Sequence, residues 1–86
     1  MFTRFTVTGC SLELLKTGER GIVTFCKSQD KTILKTLILM GIRTGSHVTL
    51  KQHLPSLIIN IDNTDFVIDL ENARAIYVRV IDNLIN

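Results

Sequence analysis

The residues best suited to metal binding are few, and their spacing does not favour a shared site. His47 and His53 are six positions apart, so on one continuous strand they would share a face yet lie roughly 20 Å from each other. They could share an ion only if the strand ended before His53. Cys10 and Cys26 lie outside any C-x-x-C pair, which favours two free thiols, although their spacing alone permits a disulfide. A pairing of Cys26 with His47 across the fold is a remaining alternative.

Acidic and glycine-rich segments offer little further chemistry. Four carboxylates lie close together in the sequence: Asp62, Asp65, Asp69 and Glu71. Such oxygens would suit a hard cation, but their spacing matches no EF-hand loop. A solvated acidic turn is therefore expected. The segment Thr17–Gly21 lacks the Lys-Ser/Thr pair of a phosphate-binding loop. No Ser–His–Asp or Cys–His constellation is indicated. The sequence therefore predicts a protein that is not an enzyme.

Charge and hydropathy restrict the classes of partner. The 86 residues include ten basic and eight acidic side chains, and the basic ones are dispersed along the chain. Dispersed charge disfavours a nucleic-acid groove or a polybasic membrane patch, and we expect a solvated outer face for Lys27, Lys51, Tyr77 and Arg79. The apolar run Leu37–Met40 is far too short to cross a membrane, and the first residues lack the apolar region of a signal peptide. We expect one cytoplasmic domain, residues 1–86, that does not insert into membranes.

One helix is strongly indicated among the elements that must position these residues. Asp30 is a favourable N-cap, residues 31–40 follow it, and Gly41 stands where a left-handed residue ends a helix. Ile33, Leu37 and Met40 form one apolar stripe, which predicts the buried face. A shorter helical turn is predicted at residues 11–15.

Most of the remaining segments have the alternating pattern of strands. The predicted strands are residues 20–26, 46–52, 57–62, 66–70 and 76–80, with a hairpin turn at residues 62–65 and a short turn at residues 71–74. Five short strands are best buried by a bent sheet that closes into a small barrel, with the helix covering one end. The predicted fold is therefore mainly β: about five antiparallel strands, with one α-helix between the first and second.

Several spaced motifs resemble one known family. They are Leu12, Leu15, Gly18 and Gly21-Ile22-Val23, then Leu37-x-x-Met40-Gly41-Ile42-x-x-Gly45, then Ala73-x-x-Ile76-x-Val78. This pattern resembles the FeoA family over about residues 12–80, and its central block is the most specific part. The glycines of the pattern meet structural requirements. Gly41 and Gly45 suit chain reversals, whereas Gly18 and Gly21 suit a tight turn and a close backbone approach.

The resemblance implies a function as well as a fold. It implies an SH3-like barrel that serves bacterial ferrous-iron uptake by contacting the cytosolic part of a FeoB-type transporter. It allows weak Fe²⁺ binding without naming ligands, so no cofactor is firmly predicted. Two alternatives remain: a metal-responsive barrel similar to the C-terminal domain of DtxR-like regulators, and a small nucleic-acid-binding barrel. Self-association is left open.

The chain departs from the family in two places. Thr44 precedes Gly45 where many members have proline, and the loop at residues 53–56 is shortened. On α-helical geometry Leu39 points away from the buried stripe and Ile38 lies on its flank. The predicted partner-binding residues are therefore Ile38, Leu39, His53, Leu54 and Pro55. The alternative for Leu39 is an ordinary exposed leucine.

Overall fold

Six antiparallel strands form one sheet in a computed structural model of the protein, which describes residues 9–81. The strands are β1 (Gly9–Ser11), β2 (Arg20–Cys26), β3 (His47–Gln52), β4 (Leu57–Ile61), β5 (Thr64–Ile68) and β6 (Ile76–Val80). Two α-helices accompany them, α1 (Lys31–Leu39) and α2 (Leu70–Ala75), together with one 3₁₀ turn, Leu12–Leu14.

The order of the strands corrects three details of the predicted fold. It is β1-β6-β2-β3-β4-β5, so six strands are present where five were predicted. Because β1 precedes them all, α1 lies between the second and third strands rather than the first and second. Within residues 9–81 no pairing joins β5 to β1, so the described sheet is open, whereas a closed barrel was predicted.

Hydrogen bonds confirm the predicted start of α1 and the left-handed Gly41 after it, although the helix ends at Leu39, one residue before the predicted end. The backbone N–H of Thr32 donates to the Asp30 carboxylate at 2.8 Å, which caps the first turn. Gly41 has φ of 85°, and the N–H of Ile42 donates to the Leu37 carbonyl oxygen at 3.0 Å. Leu37 is buried, and the two other stripe residues are partly buried against the core.

Helix α2 replaces the short turn predicted at residues 71–74. It covers only six residues, too few for a periodic pattern to be recognised from sequence. Its buried residues, Ala73 and Ala75, are small enough to let it pack closely on the core. It also ends β5 at Ile68, two residues before the predicted end.

The core forms where the predicted alternation places it. In β3 the buried residues are Val48 and Leu50, and β4 buries every second residue from Leu57 to Ile61. The close backbone approach predicted at Gly21 is confirmed, because a Cβ there would lie 2.9 Å from the Val78 Cβ. Positive φ values at Gly18 and Gly45 agree with the predicted turns.

The β4–β5 hairpin has a two-residue turn. Asp62 and Asn63 both adopt positive φ, 53° and 65°, which is the backbone of a type I′ turn. This turn fixes the register of β5 on β4, with Ile61 opposite Thr64 and Leu57 opposite Ile68.

Candidate partner-binding groove

A surface groove of about 940 Å³ lies where β4 begins and β5 ends. The loop at residues 53–56 forms one side, and the segment from Val67 into α2 forms the other. Its lining residues are His53, Leu54, Pro55, Ser56, Leu57, Val67, Ile68, Asp69, Leu70 and Asn72. Three of the five residues predicted to bind a partner thus line one groove.

Exposed apolar side chains line this groove. Leu54 is 82% exposed, Val67 71% and Leu70 48%. Leu57 and Ile68 are buried and face each other across the β4–β5 ladder, so the exposed side chains rest on a packed base. An exposed apolar surface over a rigid base is suited to bury the apolar side chains of a partner.

Polar contacts hold the loop side of the groove in place. The His53 ring nitrogen Nε2 lies 3.2 Å from the backbone oxygen of Glu13, and the Gln52 side chain donates to the Ser56 carbonyl oxygen at 2.9 Å. Arg74 Nε in turn donates to the Glu13 carboxylate at 3.2 Å, which connects α2 to the same 3₁₀ turn. The loop is therefore anchored from two sides.

The opposite side of the groove was not identified from the sequence. Val67, Asp69, Leu70 and Asn72 join the predicted loop only because β5 pairs with β4 and α2 follows directly. The sequence did contain a signal for exposed apolar residues on this side. Val67 falls on the outward side of an alternating strand, and Leu70 follows three positions later.

The predicted helix residues belong to a different surface. Ile38 and Leu39 are 70% and 80% exposed, as expected from their position on α1. Ile38 lines a smaller pocket of about 270 Å³, together with Cys26, Leu34 and Thr44 among others. The residues that line the large groove include no residue of α1.

The two cysteines are free thiols with raised pKa values. Burial raises the pKa of both the Cys10 and Cys26 thiols, and the nearby Glu19 carboxylate raises that of Cys10 further. A raised pKa lowers the fraction of thiolate, which is both the nucleophile and the metal ligand.

The histidines and carboxylates are separated in the fold. His47 is the first residue of β3 and His53 follows its last residue, so the two histidines do not share a site. His47 lines a pocket of about 330 Å³ together with Asp62 and Arg43, and the arginine would repel a cation there. Across residues 9–81, no three His, Cys, Asp or Glu side chains converge on a point that could hold a metal ion. In the same range no helix has the length and apolar character needed to cross a membrane.

Comparison with known proteins identifies the family. The FeoA domain model matches residues 10–80, which is most of the chain. The protein belongs to the FeoA family. It is 33% identical over 79 residues to "Putative Fe(2+) transport protein A" of Leptolyngbya boryana, covering 91% of this chain and 96% of that protein.

Solved FeoA structures share the fold. The NMR structure of a FeoA-like protein from Clostridium acetobutylicum matches with a TM-score of 0.81 at 16% identity, covering 95% of this chain and 96% of that one. The zinc-complexed FeoA of Stenotrophomonas maltophilia, described as an SH3 domain protein, matches with a TM-score of 0.71 at 19% identity, covering 79% and 87%. The SH3-like fold implied by the resemblance is thus supported.

A likeness to metal-dependent regulators also exists. A manganese-dependent transcriptional repressor matches with a TM-score of 0.78 at 20% identity, covering 88% of this chain but only 44% of that protein. At this identity the match shows a shared fold in one part of the regulator. It carries no argument for a regulatory function.

Proposed function

We propose that this FeoA-family protein is a non-enzymatic accessory factor of ferrous-iron uptake that docks on the cytosolic GTPase domain of a FeoB-type transporter. The observation that carries this proposal is the exposed apolar groove between the loop at residues 53–56 and the end of β5. Family membership supplies the process, because the curated relative is described as an Fe(2+) transport protein.

The physical argument rests on what the groove offers and on the chemistry around it. Leu54 and Val67 are exposed to water at a cost that a matching apolar surface would remove. The loop is held by the contacts of His53 and Gln52, so little ordering entropy would be lost on binding. Docking on such a surface needs no catalytic group and no bound ion.

The test is a titration of the ¹⁵N-labelled protein with the isolated GTPase domain of its FeoB-type transporter. Under the proposal, NMR shift changes cluster at residues 53–57 and 67–72. Leu54→Asp places a charge in the contact and is expected to weaken binding at least tenfold, which is about 1.4 kcal/mol. Since Leu54 is 82% exposed, the folded spectrum should persist.

Leu39→Asp is the matched control, because Leu39 is equally exposed but lies on α1. Binding lost only with Leu54→Asp supports docking through the groove. Binding lost only with Leu39→Asp keeps the docking function and moves the contact to the helix surface. If the GTPase domain causes no shift change at millimolar concentration, the docking proposal is wrong.

A further inference from the structure

The free edge of β5 adjoins the apolar groove directly. Strand β5 ends the sheet order and pairs only with β4 among residues 9–81. Val67 and Ile68 belong to both the strand and the groove. An unpaired edge strand presents backbone donors and acceptors that another extended chain can use.

The hairpin geometry identifies the backbone groups that face outward. In a two-residue hairpin the pair flanking the turn, Ile61 and Thr64, exchanges hydrogen bonds, and such pairs alternate along an antiparallel ladder. Phe66 and Ile68 are then the next hydrogen-bonded residues of β5. The N–H and C=O groups of Asp65 and Val67 therefore point away from β4, toward the free edge.

The charge around this edge is mainly negative. No Lys or Arg occurs from Gln52 to Ala73, although the chain has ten of them. The same stretch has four carboxylates, at Asp62, Asp65, Asp69 and Glu71. One basic residue from outside this stretch lies nearby, since Lys51 Nζ is 3.9 Å from the Asp65 carboxylate. Both side chains are at least half exposed, so solvent screens their attraction.

We infer that the β5 edge binds an extended segment of a partner protein that alternates apolar and basic residues, and that this segment adds a strand to the sheet. Asp65 and Val67 supply the backbone hydrogen bonds, the groove takes the apolar side chains, and the carboxylates attract the basic ones. A second copy of β5 fits poorly, because pairing would bring together two strands that each have a carboxylate, Asp65, and no basic residue. This inference rests on the docking function proposed above and specifies the partner chemistry of the same site.

The test uses two capped six-residue peptides, one alternating Val and Lys and the other alternating Val and Glu. Titrated into the ¹⁵N-labelled protein, the Val-Lys peptide is expected to shift the Asp65 and Val67 amides and to bind at least about tenfold more tightly than the Val-Glu peptide. Its affinity is expected to fall as salt is raised. Equal affinity of the two peptides would contradict the role of charge.

Val67→Pro tests the backbone contact itself. It removes the outward N–H of Val67 without removing a β4–β5 hydrogen bond, and proline is tolerated at such edge positions. Peptide affinity is expected to fall about threefold to tenfold, the net worth of one hydrogen bond, while Val67→Thr, which keeps the N–H, retains it. If Val67→Pro perturbs the fold, the double variant Asp65→Asn, Asp69→Asn replaces it. This variant is expected to weaken binding of the Val-Lys peptide while the shapes of the two side chains are preserved.

The outcomes separate this inference from the docking proposal. If the GTPase domain binds wild type and Val67→Pro equally well, and the peptide does not bind, the strand-addition inference is overturned while docking stands. If the peptide binds but the GTPase domain does not, the edge is confirmed as a docking site and the proposed partner is wrong. Strong amide protection of Val67 in the protein alone would show that the edge is already covered, and would overturn the inference.

Discussion

Packing around Gly21 leaves no room for a side chain at this position. A Cβ at this position would lie 2.9 Å from Val78 Cβ and 3.0 Å from Val78 Cγ2, and both residues are buried where β2 approaches β6. The constraint is the absence of space, because Gly21 is not among the glycines with positive φ.

Gly21→Ala is therefore expected to lower the free energy of unfolding by about 1–3 kcal/mol, the usual cost of an overpacked core. Urea denaturation measures this change. The matched control is Gly9→Ala, where the new Cβ would meet only the Val78 carbonyl oxygen at 3.8 Å and should cost less than about 0.5 kcal/mol. Equal effects of the two substitutions would mean that β2 and β6 can separate without cost.

The thiols provide a second test at the level of single residues. Burial raises the pKa of both cysteines, and the Glu19 carboxylate acts on Cys10 alone. Glu19→Gln is expected to lower the pH midpoint of Cys10 alkylation by iodoacetamide and to leave that of Cys26 unchanged. Glutamine keeps an oxygen that can accept the hydrogen bond from the Lys16 N–H, so the turn should be preserved. A Cys10 midpoint unaffected by the substitution would assign its shift to burial alone.

The raised thiol pKa values also have a consequence for stability. The folded state favours the protonated thiols, so it binds protons that the unfolded chain has begun to release above its ordinary cysteine pKa. Stability from this source is complete below the unfolded pKa and declines as pH rises through the folded values. The urea midpoint is therefore expected to fall in alkaline solution, and less so in the Cys10→Ala, Cys26→Ala variant.

Two of the three leucines in helix α1 allow the effect of burial on stability to be measured apart from helix propensity. Leu37 is 1% exposed and packs in the core, whereas Leu39 is 80% exposed. Leu→Ala changes helix propensity little at either position. Leu37→Ala is expected to cost about 2–5 kcal/mol through lost contacts and a cavity, and Leu39→Ala within about 0.5 kcal/mol. Urea denaturation of the two variants measures the difference, and a large cost at Leu39 would show that this side chain is covered in solution.

Helices and strands were predictable from the sequence where the pattern that indicates them lies within a few neighbouring residues. The apolar stripe of α1, its Asp30 cap and the alternation of β3 and β4 all lie within a few residues, and each was confirmed. Strand β1 was missed because Gly9-Cys10-Ser11 has no strand pattern of its own and forms only against β6, far along the chain. Helix α2 was missed because fewer than two turns cannot show a period.

The residues of the groove also differ in whether local sequence could predict them. His53, Leu54 and Pro55, which line the groove, were predicted because their loop is shorter than in the family pattern. Val67 and Leu70 were not, because their position opposite that loop depends on the β4–β5 register and on the start of α2. Local patterns reveal the chemistry of a segment, but tertiary structure decides which segments face each other.

The open sheet implies a gradient of stability across the whole molecule. Among residues 9–81, strands β6 and β2 have neighbours on both sides, whereas β1 and β5 have one each. Amide hydrogen exchange is expected to be at least about tenfold slower in β6 and β2 than in β5, since edge strands open more readily. Mass spectrometry or NMR measures this directly. Uniform protection would show that the sheet is closed in solution, as the predicted barrel would require.

The position of β6 also bears on how the chain is made. The last described strand is inserted between β1 and β2, and it supplies Ile76 and Val78, both fully buried. During synthesis, β1 and β2 leave the ribosome early yet cannot acquire their shared neighbour until the chain past Val80 has emerged. Until then the apolar side chains that β6 covers stay exposed, and a nascent chain with exposed apolar strands is prone to aggregate.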